Sequence, residues 1–155
     1  METPPLLSAR YAHTNLTAED WEALADFYER VFGCERTLPQ RDYTDEALHS
    51  GAQRGTRQRG VHLRLPGHGP GGPTLEIFGY DPLTNRARTA PNRPGFGHIA
   101  FEVADVAAAR AVVLAEGGSA LGEVVTQMTP LGRAITWAYV ADPECNVIEL
   151  QSWTA

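Results

Sequence analysis

Two histidines and two glutamates recur at matching places along this chain of 155 residues. His13 and His98 each open a run in which apolar and other residues alternate, as they do in a β-strand. Glu76 and Glu149 each lie between two aliphatic residues in a later run of the same kind. An unpaired carboxylate in an apolar strand is costly, so each glutamate is expected to be paired, metal-bound, protonated or exposed. Because the chain contains no lysine, a shared divalent cation is a chemically reasonable partner for all four side chains.

The two histidines lie at the same distance from a glycine that is able to end a helix. Gly33 follows His13 by 20 residues (33 − 13), and Gly118 follows His98 by 20 residues (118 − 98). The spans from histidine to glutamate are 63 residues (76 − 13) and 51 residues (149 − 98), and the stretch 40–60 absorbs the difference. This spacing predicts two copies of one structural unit, each with a histidine on its first strand and a glutamate on its last.

Two imidazoles and two carboxylates, without a thiolate, have a definite metal preference. They suit Zn, Ni, Co, Mn or Fe(II), and octahedral geometry leaves two positions for water or a substrate. We therefore expect one divalent ion between the two units. Its expected ligands are His13, Glu76, His98 and Glu149. The alternative is that both glutamates lie on the solvent face of half-buried strands.

The first unit is predicted to contain one helix among short strands. Thr17 is the expected N-cap, with Asp20 as its capping-box partner and Gly33 as the left-handed residue that ends the helix. The stretch 40–60 is interpreted as an irregular excursion, of the kind of long loop that usually either carries binding function or is mobile. The predicted strands are 11–16, 61–65 and 74–78, with a Pro/Gly-rich loop at 66–73.

The second unit repeats this order after a linker. Asp105 is the expected cap of a helix at 107–116, which ends at Gly117 and Gly118. The predicted strands are 94–103, 120–126, 134–140 and 147–151. We expect an α+β fold in a single domain, with module one at about 8–80, a linker at about 81–94 and module two at about 95–153.

Composition excludes several classes of function. A hydrophobic content of 43% and a charged content of 21% are typical of a globular domain. The net charge of −6 and the lack of a basic tract argue against nucleic acid and anionic membranes as partners. No export signal or long apolar run is present, so the cytoplasm is the expected location. Cys34 and Cys145 lack metal-site or redox spacing and are interpreted as reduced thiols.

Four sequence motifs occur in a fixed order along the chain. They are Ala12–Leu16, Leu75–Phe78, Gly97–Phe101 and Asp142–Leu150. With these motifs the chain resembles the vicinal oxygen chelate superfamily over about residues 11–151. That superfamily includes glyoxalase I, methylmalonyl-CoA epimerase, extradiol dioxygenases, fosfomycin-resistance enzymes and bleomycin-binding proteins. The resemblance implies two tandem βαβββ modules whose curved mixed sheets form a metal-binding cleft.

Within that superfamily the ligand set is most similar to bacterial-type glyoxalase I. The resemblance implies a lyase or isomerase that abstracts a proton next to a carbonyl through a metal-bound enediolate. Glu149 is the expected base, with Glu76 as second choice. One alternative is an Fe(II) extradiol-type dioxygenase, in which two histidines and one glutamate bind the metal. The other is a non-catalytic, ligand-sequestering protein of the bleomycin-resistance kind.

The resemblance also implies a small-molecule substrate and, as is common in such proteins, a homodimer. Arg133 lies where the superfamily often places an arginine near the cleft, and is a candidate for binding an anionic substrate. Four arginines before or in the first hairpin either bind an anion or form a solvated face; they are Arg54, Arg57, Arg59 and Arg64. His49, His62 and His68 are interpreted as surface or loop residues. Cys145 stands where the superfamily's turn usually has glycine.

Overall fold

The computed structural model describes residues 10–44, 56–83, 95–130 and 132–154. Within these ranges each half of the chain contributes one helix and one sheet. The first half comprises β1 (His13–Thr17), α1 (Trp21–Phe32), β2 (Glu35–Thr44), β3 (Arg57–Arg64) and β4 (Thr74–Asp81). The second half comprises β5 (Ile99–Glu102), α2 (Val106–Ala115), β6 (Ser119–Ala120), β7 (Val125–Met128), β8 (Ala134–Ala141) and β9 (Val147–Trp153).

The two sheets have equivalent topologies. Sheet A has the strand order β1-β4-β3-β2, and sheet B has the order β5-β9-β8-β6, with β7 also paired to β8. In both sheets the first strand runs parallel to the last strand, and the other pairs are antiparallel. The predicted α+β fold of two tandem βαβββ units is therefore confirmed. The strand after α2 is divided into β6 and β7, which was predicted as one continuous strand.

The helix α1 begins at Asp20 and not at Thr17. The Asp20 carboxylate accepts a hydrogen bond of 3.0 Å from the backbone N–H of Ala23. The prediction of Thr17 as the N-cap is wrong, because Thr17 still pairs with Phe78 as the last residue of β1. Gly33 ends the helix in the left-handed conformation, with φ 68°, as expected.

The helix α2 is capped as predicted, but its two glycines have different roles. Asp105 accepts a hydrogen bond of 2.9 Å from the backbone N–H of Ala108. Gly117 takes the left-handed conformation after the helix, with φ 92°. A Cβ atom at Gly118 would lie 2.6 Å from the carbonyl oxygen of Ala141. Gly118 is thus required by close backbone packing, and Gly117 alone supplies the positive φ.

One hydrophobic core connects both halves. Leu75 and Ile77, on either side of Glu76, are fully buried, so strand alternation turns the glutamate to the opposite face of sheet A. Phe32 of α1 stacks on Phe101 of β5 with ring centroids 4.1 Å apart. This contact joins the first half to the second within a single cluster of buried side chains.

The turn before β9 fastens the second half to the N-terminal end of α1. The Glu144 carboxylate accepts hydrogen bonds of 2.8 Å from the N–H of Glu19 and 2.7 Å from the N–H of Asp20. The hydroxyl of Tyr28 in α1 donates to the Asp142 carboxylate at 3.0 Å. Burial, together with the charge of Asp142, raises the pKa of Tyr28 well above its ordinary value, which keeps this donor protonated.

The stretch 40–60 is ordered into strands at both ends, so its interpretation as irregular is wrong there. β2 extends to Thr44 and β3 begins at Arg57, while residues 45–55 lie outside the described chain. Arg57 donates to both oxygens of the Asp42 carboxylate, at 2.9 and 2.7 Å, between these strands. Polar pairs of this kind replace the apolar alternation that normally identifies a strand.

The remaining segments agree in part with expectation. The loop 66–73 connects β3 to β4, and β5 is shorter than predicted, so that His98 lies just before it. Most of the predicted linker, residues 84–94, lies outside the described ranges. Among the helices described, none has the length and apolar character needed to cross a membrane.

Candidate metal centre

In the first half, His13 and Glu76 meet on the face of sheet A opposite the buried aliphatic residues. β1 runs parallel to β4, and Asn15, two residues after His13, is the register partner of Glu76. The Nε2 atom of His13 lies 3.3 Å from Oε2 of Glu76. The side-chain amide of Asn15 donates to the same oxygen at 3.4 Å.

The second half builds the same pair from the residue just before its first strand, β5, and from its last strand, β9. Ala100, two residues after His98, is the register partner of Glu149. The Nε2 atom of His98 lies 3.0 Å from Oε2 of Glu149. The two halves thus repeat the spacing of these residues along the chain and also the approach of Nε2 to Oε2 within each pair.

The spacing within each pair fits a divalent metal ion. Two donor atoms at about 2.1 Å from one ion and at right angles to each other are about 3 Å apart. The observed separations of 3.3 and 3.0 Å match that geometry. Among the described residues, no group of three or more His, Cys, Asp or Glu side chains forms a metal-binding cluster. The described part of the chain thus presents two separate His–Glu pairs.

His62 also belongs to this site, and its interpretation as a surface or loop residue is wrong. It lies in β3 as the register partner of Glu76, and its side chain is 22% exposed. Its Nε2 atom lies 2.9 Å from Oε1 of Glu76, and its Nδ1 atom lies 3.2 Å from Oγ1 of Thr74. Burial is the largest influence on the pKa of His62 and lowers it, with Glu76 partly opposing.

One feature of the sequence could have placed His62 next to Glu76. The hairpin β3–β4 closes through the loop 66–73, and His62 and Glu76 stand at similar distances before and after that loop. Residues placed in this way face each other in an antiparallel pair. Of the other two histidines, His68 is exposed in the loop as expected, and His49 lies outside the described residues.

Tyr139 occupies the corresponding place in the second half. It is the register partner of Glu149, and its ring meets the His98 ring edge-on with centroids 5.3 Å apart. Burial raises the pKa of Tyr139, and its hydrogen bond to Glu149 raises it further, so the phenol is a donor at neutral pH. Glu149 therefore has a phenol neighbour where Glu76 has an imidazole.

Two grooves adjoin the second pair. A groove of about 330 Å³ is lined by Glu149 and Tyr139 together with Trp137 and residues 127–130. A larger groove of about 510 Å³ runs between β1 and β5 and is lined by His98. Each groove is lined by one of the four residues predicted to bind a metal, His98 in the larger and Glu149 in the smaller.

Three of the arginines considered as anion-binding candidates already contact another side chain. The guanidinium of Arg133 lies 5.1 Å from the centroid of the Trp153 ring. Arg57 pairs with Asp42, and Arg64 pairs with Glu35 at 2.8 Å, which favours the solvated face over an anion site for these two. Arg59 is exposed, and Arg54 lies outside the described residues.

One protein family matches nearly the whole chain. The family model described as the Glyoxalase/Bleomycin resistance protein/Dioxygenase superfamily matches residues 10–150. The chain belongs to this superfamily. Its members bind small-molecule ligands and commonly bind a metal ion, which agrees with the two His–Glu pairs. The resemblance noted in the motifs is confirmed at this level.

Solved structures of the glyoxalase superfamily share the fold of the whole chain. A glyoxalase family protein from Bacillus cereus is 19% identical, with a TM-score of 0.73, over 100% of this chain and 99% of its own. A glyoxalase family protein from Enterococcus faecalis is 20% identical, with a TM-score of 0.60, over 94% and 98% of the two chains. A glyoxylase/bleomycin resistance protein/dioxygenase domain from Frankia sp. EAN1pec is 18% identical, with a TM-score of 0.57, over 96% and 93%. The chain matches none of the curated proteins with which it was compared.

Proposed function

We propose that this protein is a divalent-metal-dependent lyase or isomerase of the glyoxalase type, which abstracts a proton next to a carbonyl group. The observation that carries the proposal is the repeated pair of imidazole nitrogen and carboxylate oxygen, at 3.3 Å in one half and 3.0 Å in the other. A single ion shared between two equivalent units requires half of its protein ligands from each unit, and each half of this chain offers one such pair.

The proposed ligands are the four residues of these pairs: His13, Glu76, His98 and Glu149. They suit Zn, Ni, Co, Mn or Fe(II), and the bound ion supplies Lewis acidity that stabilises negative charge on a substrate oxygen. The protein itself must position the substrate and move the proton.

Glu149 is the proposed base, with Glu76 as second choice. Glu149 lines the 330 Å³ groove beside Tyr139, so a substrate there is within reach of its carboxylate. Glu76 is held by three side-chain nitrogens, those of His13, Asn15 and His62. A carboxylate held in this way is less free to turn toward a substrate than Glu149.

We further propose that the protein forms a homodimer. Leu38 is 86% exposed and Phe96 is 100% exposed in the single chain, and a second copy would cover such apolar surface.

We also propose a cytoplasmic location and an anion-binding role for Arg133. Both cysteines are free, and free thiols are usual in the reducing cytoplasm. Arg133 is exposed and follows the last residue of the segment 127–130, which lines the 330 Å³ groove, by three residues.

The test combines metal replacement with α-proton exchange. The metal-stripped protein is reloaded separately with each of the five metals, and NMR follows exchange of the α-proton of hydroxyketones and of ketoaldehyde–thiol adducts in deuterated water. Glu149→Gln keeps a ligand oxygen but cannot take a proton, so exchange should fall by about 100- to 10,000-fold. Glu76→Gln is the matched variant and should lose less, while His68→Ala, in the exposed loop, should leave exchange unchanged.

Two outcomes would contradict the proposal. Oxygen uptake with catechols and Fe(II), without proton exchange, would indicate an extradiol-type dioxygenase. A protein that takes up none of the five metals and still binds small ligands would indicate a sequestering role.

A further inference from the structure

We propose that His62 is a positioning residue that fixes one oxygen of Glu76, so that only the other oxygen faces His13 and the metal. The inference rests on the proposed metal site and adds to it a residue from β3, the strand next to the one that carries Glu76.

The hydrogen bonds of the His62 ring define this role. An ionised carboxylate only accepts hydrogen bonds, so the Nε2 atom, 2.9 Å from Oε1 of Glu76, must carry the proton. In the neutral ring the Nδ1 atom is then an acceptor, and the Thr74 hydroxyl donates to it at 3.2 Å. Because both ring nitrogens are engaged, His62 supports the ligand and is not itself free to bind the ion.

Packing holds the ring in this orientation. The His62 ring meets Phe78 edge-on with centroids 5.8 Å apart, and meets His13 edge-on at 6.0 Å. Phe78 can lie across β3 only because its register partner is Gly60, where a Cβ atom would be 2.0 Å from the Phe78 ring. The imidazole is therefore in contact with two rings and hydrogen-bonded at both nitrogens.

The consequence is a difference between the two glutamates. Glu76 is directed toward His13 through Oε2 alone, which favours a ligand bound through one oxygen. Glu149 has the phenol of Tyr139 in the equivalent position, and no second imidazole is paired with it among the described residues. The first half thus supplies a carboxylate held by three side-chain nitrogens, and the second half supplies one held by one imidazole and one phenol.

The experiment compares Co²⁺ binding by the full chain and three variants. His62→Phe keeps the ring packing but removes both nitrogens, and should weaken Co²⁺ binding by about 10- to 100-fold. His62→Gln places an N–H donor near the position of Nε2, and should recover most of the affinity and the wild-type visible spectrum of bound Co²⁺. His68→Phe, in the exposed loop, removes a histidine away from the site and should bind as wild type does.

The outcomes separate this inference from the proposed function. Wild-type affinity and spectrum in His62→Phe would overturn the positioning role. X-ray absorption that shows one imidazole fewer in His62→Phe would also overturn it, because His62 would then be a ligand. If the wild-type protein binds no metal, the proposed function fails. In that case ¹⁵N NMR of the metal-free imidazoles tests whether His62 donates a hydrogen bond to Glu76 from Nε2. A fixed Nε2–H tautomer that is lost in Glu76→Leu, which has no acceptor oxygen, supports the contact, and a tautomer mixture in the wild-type protein refutes it.

Discussion

At the scale of single residues, Cys145 shows how a turn keeps its shape without the glycine it favours. Cys145 has φ 64°, a left-handed conformation that costs a residue with a Cβ atom about 1–2 kcal/mol. The Asp142 carboxylate holds the turn, because it accepts from the N–H groups of Glu144 and Asn146 at 2.9 and 2.8 Å. The turn therefore adopts a backbone conformation that favours glycine although cysteine stands at this position.

Replacing Cys145 with glycine should therefore stabilise the protein. We expect Cys145→Gly to raise the free energy of unfolding by up to about 1 kcal/mol, since relief of the strain is partly offset by a more flexible unfolded chain. Cys145→Ala keeps the strain and should change stability little. Urea denaturation of the three proteins measures this, and a loss of stability in the glycine variant would contradict the prediction.

The two thiols should differ sharply in reactivity. Cys34 is 4% exposed, and burial, with the nearby charge of Glu29, raises its pKa to about 12. Cys145 is exposed. The thiolate is the reactive form of a cysteine. At pH 8 a thiol reagent should therefore label Cys145 quickly and Cys34 only after the protein unfolds. Cys145→Ala is the control, and rapid labelling of that variant in the folded state would refute the expectation.

At the scale of elements, Gly60 of β3 lies against Phe78 of β4, and Phe78 in turn contacts His62 at the site. A Cβ atom there would lie 2.1 Å from the carbonyl oxygen of Ile77 as well as close to the Phe78 ring. Neither β4 nor the ring has room to give way, because Phe78 is 5% exposed and rests on His62.

We therefore expect Gly60→Ala to be destabilising by about 1–3 kcal/mol, as is typical of overpacked sites, and to weaken metal binding as well. Gly69→Ala is the matched control, because a Cβ atom at that glycine, in the loop of the same hairpin, would meet no heavy atom within 4 Å. Thermal unfolding and Co²⁺ titration of both variants provide the measurement. Equal stability of the two would show that β3 can shift to accept a methyl group.

Local patterns account for the helix ends and for most of the strands, because strand alternation and capping residues lie within a few residues of one another. The set of two histidines and two glutamates came from the repeated spacing along the chain, and the fold of two βαβββ units came from the resemblance to the superfamily. His62 was missed because its meaning depends on a partner across the hairpin, and β2 was missed because Arg57–Asp42 pairing replaces apolar alternation. Thr17 was mistaken for a cap because it is a good capping residue, and only its pairing with Phe78 shows that the strand continues.

At the scale of the whole molecule, the chain carries two His–Glu pairs, which are the proposed half-sets of metal ligands, and exposed apolar side chains. Met128, in β7, is 61% exposed, in addition to Leu38 and Phe96. A homodimer can complete a metal site in two ways, either within each chain or between the first half of one chain and the second half of its partner.

Mixing two inactive variants distinguishes these arrangements. His13→Ala and His98→Ala should each lose metal binding and activity. If sites form between chains, a mixture refolded together should regain about a quarter of wild-type activity, because half of the dimers are mixed and each of those has one intact site in two. If sites form within one chain, the mixture should stay inactive. Sedimentation of each variant confirms that dimers are present, and a monomeric protein would contradict the dimer itself.

The contact of Glu144 with the start of α1 bears on how far the two repeats depend on each other. The backbone N–H groups of Glu19 and Asp20 have their acceptor in the other repeat. A first half made alone would leave these donors to water, and would expose the face of Phe32 that covers Phe101. The two units have equivalent topologies but are not interchangeable, because each makes contacts that the other unit supplies. A hybrid with a foreign second half would need its own carboxylate at the position of Glu144.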